Sequence, residues 1–131
     1  MAPEFGTIIS GGFNRFSRLK ELSHPQKEEI ELKSILYALS DPVRLELVRQ
    51  LANGGEYTWA SFGRRDKVKS TMTHHFKVLR EAGIIKTRIE GREHFRCLRK
   101  DDLDDLFPGL IDKIVEAAGG PLVLGSVSKD S

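Results

Sequence analysis

Between Lys69 and Lys100 the hydrophobic period of the chain changes from helical to extended, and few folds accommodate that change. In "KSTMTHHFKVLREAGII" apolar residues recur every three or four positions, which is the signature of a helix with one buried stripe. Gly83 suits the helix end. In the following "IIKTRIEGREHFRCLRK" the period drops to two. Ile85, Thr87 and Ile89 alternate on one strand, and Phe95 and Cys97 alternate on the next. Gly91 lies between them, where a hairpin turn needs a positive φ. A helix that runs straight into a β-hairpin is therefore the fixed centre of any fold for this chain.

More helices precede it. In "EEIELKSILYALSD", Ile30, Ile35, Leu36 and Leu39 recur at helical spacing, with Leu32 beside them. "SDPVRLELVRQLANGG" opens with Asp41 as N-cap and Pro42 at the first helical position, and Asn53-Gly54 can cap its end. Its inward stripe reads as Leu45, Val48, Leu51 and Ala52. A short helix fits Thr58–Phe62. The central helix is expected to begin after Asp66 or Lys67. Beyond the hairpin, "DDLDDLF" and "LIDKIVEAA" are helical segments separated by Pro108-Gly109, with Leu103, Leu106, Leu110, Ile111, Ile114 and Val115 facing inward.

The order helix, helix, short helix, helix, hairpin, helix predicts a mainly α domain with a β-hairpin wing, a winged helix-turn-helix. Residues 26–118 would form that domain. Residues 1–25, rich in Gly, Ser and Arg, read as a flexible arm with a short helix near 15–22; "EFGT" within it resembles a cloning remnant. Residues 119–131 read as a loose tail.

Length and composition narrow the classes further. A chain of 131 residues supports one domain with a modest core. No run approaches the roughly 18 consecutive apolar residues of a membrane span, and "MAPEFGTIISGGFNRF" lacks the pattern of a secretory signal. Cys97 is the only cysteine, which excludes an intrachain disulfide and a cysteine-rich zinc site. Both features fit a cytoplasmic protein. Charge is uneven: residues 64–100 hold twelve Lys/Arg against four Asp/Glu, a balance of +8. Residues 101–116 hold one Lys against six Asp/Glu, a balance of −5. A basic block beside an acidic one suggests a face that meets an anion.

The central helix shows what that face presents. At steps of about 100° per residue, Met72, Phe76 and Leu79 fall within about 60° and form the buried stripe. Ser70, Thr73, His74 and Lys77 lie opposite, and His75 lies at the stripe's edge. His74 and His75 therefore diverge and do not form a metal pair on one helix, which needs histidines four apart. Short hydroxyl side chains let a helix approach base edges, where Ser and Thr donate or accept and Thr can touch a thymine methyl. Arg64, Arg65, Lys67 and Lys69 would attract phosphates. In the hairpin, Arg92 is placed to enter a minor groove, with Lys86, Arg88 and Arg96 as phosphate contacts.

Three motifs in order carry a family resemblance over roughly residues 30–117. "ALSDPVRLELVRQL" resembles the Asp-Pro-x-Arg second helix of the arsenic-repressor (ArsR) family of bacterial regulators. "STMTHHFKVLREAGII" resembles that family's recognition helix, and "KTRIEGREHFRCLR" its wing. The resemblance implies a homodimeric repressor on double-stranded operator DNA, released by an effector. Carried over residue by residue, the recognition positions are Ser70, Thr71, Thr73 and His74, to which the chemistry of the residues themselves adds Lys69, Lys77 and, from the wing, Arg92. Dimerisation would use the first and last helices, through Ile35, Leu39, Leu110, Ile111 and Ile114. Such a dimer places two recognition helices about 34 Å apart on an imperfect palindrome.

The chain departs from the family where metal is sensed. The family's Cys-Val-Cys position holds Thr58-Trp59-Ala60, and the last helix carries Asp112 and Glu116 at i, i+4 but no histidine. Neither familiar metal site is expected, and no cofactor. A small organic ligand, a redox signal through Cys97, or no effector at all stay open. Cys97 itself is expected to be a small buried residue, and His24 and His94 surface histidines. Two other functions stand beside this one. A winged helix can bind protein instead of DNA; an apolar exposed helix face would mark that case. An enzyme would need a nucleophile, base and orienting group, and none accompanies His74, His75 or the Asp101–Asp105 cluster. That cluster fits a helix N-terminus better.

Overall fold

A computed structural model of the protein describes residues 22–62 and 69–122. The expected helix at 15–22 falls almost wholly outside these residues, as do Arg64, Arg65, Asp66 and Lys67. Among the described residues a 3₁₀ turn (Lys27–Glu29) leads into α1 (Leu32–Leu39) and α2 (Pro42–Leu51). A second 3₁₀ turn (Ala60–Phe62) precedes α3 (Lys69–Glu81), then β1 (Ile85–Glu90), β2 (Glu93–Leu98), α4 (Lys100–Leu106) and α5 (Leu110–Ala117). Five helices with one two-stranded antiparallel hairpin make a winged helix-turn-helix.

The helix ends follow the local chemistry. The Asp41 carboxylate accepts the Val43 N–H at 2.9 Å and the Arg44 N–H at 3.1 Å, while Pro42 occupies the first position. Such a cap contributes about 1 kcal/mol. Gly83 ends α3 at φ +87°, and a Cβ there would stand 2.5 Å from the Ile30 side chain. Glycine is thus required twice, for its backbone and for the close seat of Ile30. Gly109, at φ +78°, separates α4 from α5.

The core gathers Ile35, Ala38 and Leu39 of α1 with Leu47, Val48 and Leu51 of α2. Met72, Phe76 and Leu79 of α3 close it from the other side, with Ile84, Ile85, Leu103, Ile111 and Val115. Leu47, absent from the expected stripe of α2, is fully buried, whereas Leu45 is only partly so. On α1 the expected inward Leu36 is 49% exposed.

The hairpin corrects the expected phase of β2. Ile85 pairs with Leu98, Thr87 with Arg96, Ile89 with His94 and Glu90 with Glu93, leaving Gly91-Arg92 as a two-residue turn. Gly91 has φ +63° and no described non-glycine residue has a positive φ, the pattern of a type II′ turn. Directly paired residues share a face. Thr87 and Arg96 therefore face inward together, and Phe95 joins Arg88 on the outer face. Arg96, not Phe95 or Cys97, is the buried residue of β2. Its backbone also pairs with Tyr57, with N···O distances of 2.8 and 2.9 Å, adding a third edge to the wing.

Both ends of the described chain are held. Arg80 donates to Ser23 O at 2.9 Å, and Arg99 to Pro25 O at 2.8 Å. His24 Nε2 accepts the Thr87 N–H at 3.0 Å, so His24 anchors the arm's end to β1 and is no ordinary surface histidine. At the other end Arg49 donates to Gly120 O at 2.8 Å and Asn53 to Leu122 O at 3.1 Å. Residues 22–25 and 119–122 thus belong with the packed domain. The remainder of the expected arm and tail lies outside the described residues.

Candidate nucleic-acid interface

Helix α3 divides its side chains cleanly. Lys69, Ser70, Thr71, Thr73, His74 and Lys77 are all exposed, while Met72, Phe76 and Leu79 face the core. Lys77 forms an i, i+4 pair with Glu81 at 3.3 Å, a surface contact that leaves its charge accessible. The exposed row carries hydroxyls, one imidazole and two ammonium groups, so it can hydrogen-bond to base edges and meet phosphates.

His75 has a different task. It is 8% exposed, and its Nδ1 lies 3.2 Å from Arg44 Nη1 and 3.9 Å from Asp41 Oδ2. A guanidinium only donates, so Nδ1 is the acceptor in this contact. Arg44 also donates from Nε to Ala38 O at 2.7 Å and lies over the Tyr37 ring. One arginine in the first turn of α2 thereby ties the end of α1 to the middle of α3. It joins the helix that carries the exposed polar face to the two helices before it. The Asp-Pro-x-Arg motif was visible in the sequence, but this role was not. The available signal was an arginine in a helix's first turn, where the dipole disfavours a cation unless a tertiary partner compensates.

The wing cations separate into free and spent ones. Arg92 stands exposed at the turn, and Lys86 is exposed on β1. Arg88 is bound on both sides: to Glu56 at 2.8 and 3.1 Å and to Glu90 at 2.6 Å, with its guanidinium over Phe95. The hydrogen bond from Arg88 holds the Glu56 carboxyl below its usual range. Arg96 is buried with its guanidinium 3.8 Å from the Phe76 ring centroid. Arg96 thus lies beneath the outer surface of the wing, and Arg88 is already paired with two carboxylates. The acidic block is similarly engaged: Asp102 with Arg99, Asp104 and Asp112 with Lys100, Asp105 with Lys27. Asp101 and Asp102 sit in the first turn of α4, as its dipole favours.

The residues do not fit the family's metal sites. Thr58 and Ser61 hydroxyls hydrogen-bond to each other, and Asp112 and Glu116 pair with lysines. Among the described residues no group of three His, Cys, Asp or Glu converges. Cys97 is half-buried, and burial pushes its thiol up, away from the reactive thiolate. Among the described residues no helix is long and apolar enough to cross a membrane.

The residues expected at a dimer interface differ in their exposure. Ile35, Leu39 and Ile111 are buried in the chain's own core, and Leu110 and Ile114 are half-buried. The apolar side chains that α1 exposes are Leu32 at 45%, Leu36 at 49% and Tyr37 at 66%. The first three cannot serve two cores at once. A period count marks which residues are apolar along a helix but not which side its neighbours take.

Comparison with known proteins agrees with this architecture. No protein-family model matches the chain. It is 38% identical over 82 residues to the uncharacterized HTH-type transcriptional regulator YceK of Bacillus subtilis, covering 61% of this chain and 82% of the relative. It is 33% identical over 85 residues to the biofilm growth-associated repressor of Agrobacterium fabrum, covering 65% and 73%. To the arsenical resistance operon repressor of Staphylococcus aureus it is 32% identical over 80 residues, covering 61% and 77%.

Proposed function

The chain belongs to the arsenic-repressor family of helix-turn-helix transcriptional regulators, and from that premise we propose that it is a dimeric repressor of its own operator. Residues 26–118 act as the DNA-binding and dimerisation unit. Ser70, Thr71, Thr73 and His74 read base edges in the major groove, Lys69 and Lys77 meet flanking phosphates, and Arg92 reaches the minor groove. The observation that carries the reading is the outer face of α3: six exposed polar residues, backed by a buried arginine–histidine contact and flanked by a wing with an exposed arginine at its tip.

The dimer forms through Leu32, Leu36 and Tyr37 of α1 together with the half-buried Leu110 and Ile114 of α5. A symmetric pair then meets an imperfect palindrome. Release from DNA requires an effector, and the residues at the family's metal positions favour a non-metal one. A protein-binding winged helix is the competing reading; an exposed apolar face on α3 would favour it, and that face is polar throughout.

A gel-shift series with the promoter region upstream of the gene tests the proposal. Binding at about 50 mM salt that weakens steeply as salt rises is expected. Absence of any duplex binding at that salt would sink it. Sedimentation should give a dimer, which Tyr37→Glu converts to monomer.

A further inference from the structure

Between α3 and the wing lies a cavity of about 530 Å³, lined among others by Trp59, Phe76, Thr87 and Arg96. This size suits a small organic molecule. Arg96 is 8% exposed, yet its Nε and Nη1 have no hydrogen-bond acceptor among the described residues. A buried guanidinium with idle donors is costly unless an acceptor reaches it. The Phe76 ring offsets part of that cost but accepts no N–H bond in the plane of the guanidinium. Lys69, Lys77, Arg80 and Arg92 also line the cavity, against one exposed carboxylate, Glu93.

The charge environment of the cavity wall points the same way. Burial first, and Arg80 second, push the Arg96 guanidinium down to about 10. His94, also at the cavity wall, is lowered by burial, then by Arg96 and Lys69.

We propose that this cavity is an oxyanion site in which Arg96 donates to the carboxylate or phosphate group of a small organic anion while Trp59 and Phe76 cover its apolar body. Lys69, Thr73, Lys77 and Arg92 serve both this cavity and the proposed DNA face. An occupant therefore consumes positive charge that DNA phosphates need, and the two ligands oppose each other. That consequence rests on the DNA-binding reading; the site itself does not. The same oxyanion chemistry has a second source, a backbone phosphate of bound DNA.

Trp59 is the chain's only tryptophan, so its fluorescence reports the cavity in the intact protein. Cyclohexanecarboxylate and the neutral cyclohexanecarboxamide are titrated at constant ionic strength without DNA. A saturable response to the carboxylate and none to the amide is expected, at least tenfold weaker in Arg96→Gln and partly restored in Arg96→Lys. Equal responses to both compounds, or none to the carboxylate, overturn the proposal with wild-type protein alone, so the test stands even if Arg96→Gln does not fold. Salt titrations with a random duplex separate the two sources. A silent carboxylate, together with a salt slope about one unit shallower in Arg96→Gln, assigns the oxyanion to DNA and overturns the small-ligand site. Loss of all duplex binding with the carboxylate response intact refutes the DNA reading and leaves the oxyanion site standing. With both intact, saturating carboxylate weakens duplex binding severalfold; unchanged affinity removes the antagonism.

Discussion

Helix α3 and the hairpin that follows it are both rich in cations, yet they use them in opposite ways. On α3 the charges and hydroxyls stand outside and the core is wholly apolar apart from His75. In the hairpin Arg88 is spent on Glu56 and Glu90, and Arg96 is buried on Phe76, so Lys86 and Arg92 remain as exposed cations. The balance of +8 over residues 64–100 therefore overstates what a DNA backbone would meet. A helix with one apolar stripe shows its outer face in its period. A two-stranded wing has an inner face only because something packs beneath it, and a long cationic side chain can be drawn into that face.

The contrast can be broken at several points. The largest effect is expected on the inner side of α3. Leu79→Ala should cost about 2–5 kcal/mol of stability, read as a lowered urea midpoint with unchanged slope. His74→Ala, one turn away on the outer side, should leave that midpoint in place. It should weaken specific operator binding by about 1–3 kcal/mol relative to random DNA. If it destabilises the fold instead, the division of α3 into two faces fails.

The wing gives the sharper pair. Arg92→Ala should make the salt dependence of DNA binding shallower by about one unit, with sequence preference retained. Arg88→Ala should change that slope little, because Glu56 and Glu90 already neutralise the group. Equal slopes lost at both positions would show that the Arg88 pairs open on DNA.

The smallest effect concerns pH. Burial, then Arg80 and Arg99, hold His24 below its ordinary 6.5, and its Nε2 accepts from the Thr87 amide. The unfolded chain thus takes up the proton first as pH falls. The contribution of neutral His24 is complete above pH 6.5 and shrinks as pH drops from there toward the folded value. Protection of the Thr87 amide from hydrogen exchange, corrected for intrinsic rate, should decline over that window and lose its pH dependence in His24→Ala. Protection that stays flat in the wild-type chain would show that His24 is not the anchor of β1.

Much of the outer geometry was legible beforehand. The order of elements, the Asp41 cap, the Gly83 stop and the opposed directions of His74 and His75 all follow from local rules: a period, a capping carboxylate, a glycine where φ must be positive. Local rules also separated the hydroxyls of α3 from its core stripe. They failed where a side chain's place depends on a distant segment. Ile35, Leu39 and Ile111 are as apolar as an interface requires, and only the packing of α1 and α5 shows them already consumed.

The sequence by itself determined that this chain forms helices around one helix-to-hairpin transition, and that α3 carries a polar outer face. Only the tertiary structure decided that Arg44 locks His75, that Arg88 is paired on both sides, and that Arg96 lies buried beside a cavity with no acceptor for two of its nitrogens among the described residues. Period and capping act within a few residues, whereas ion pairing and burial are set by neighbours up to dozens of positions away. A charge written in the sequence keeps its sign on folding; its availability is settled by what comes to lie beside it.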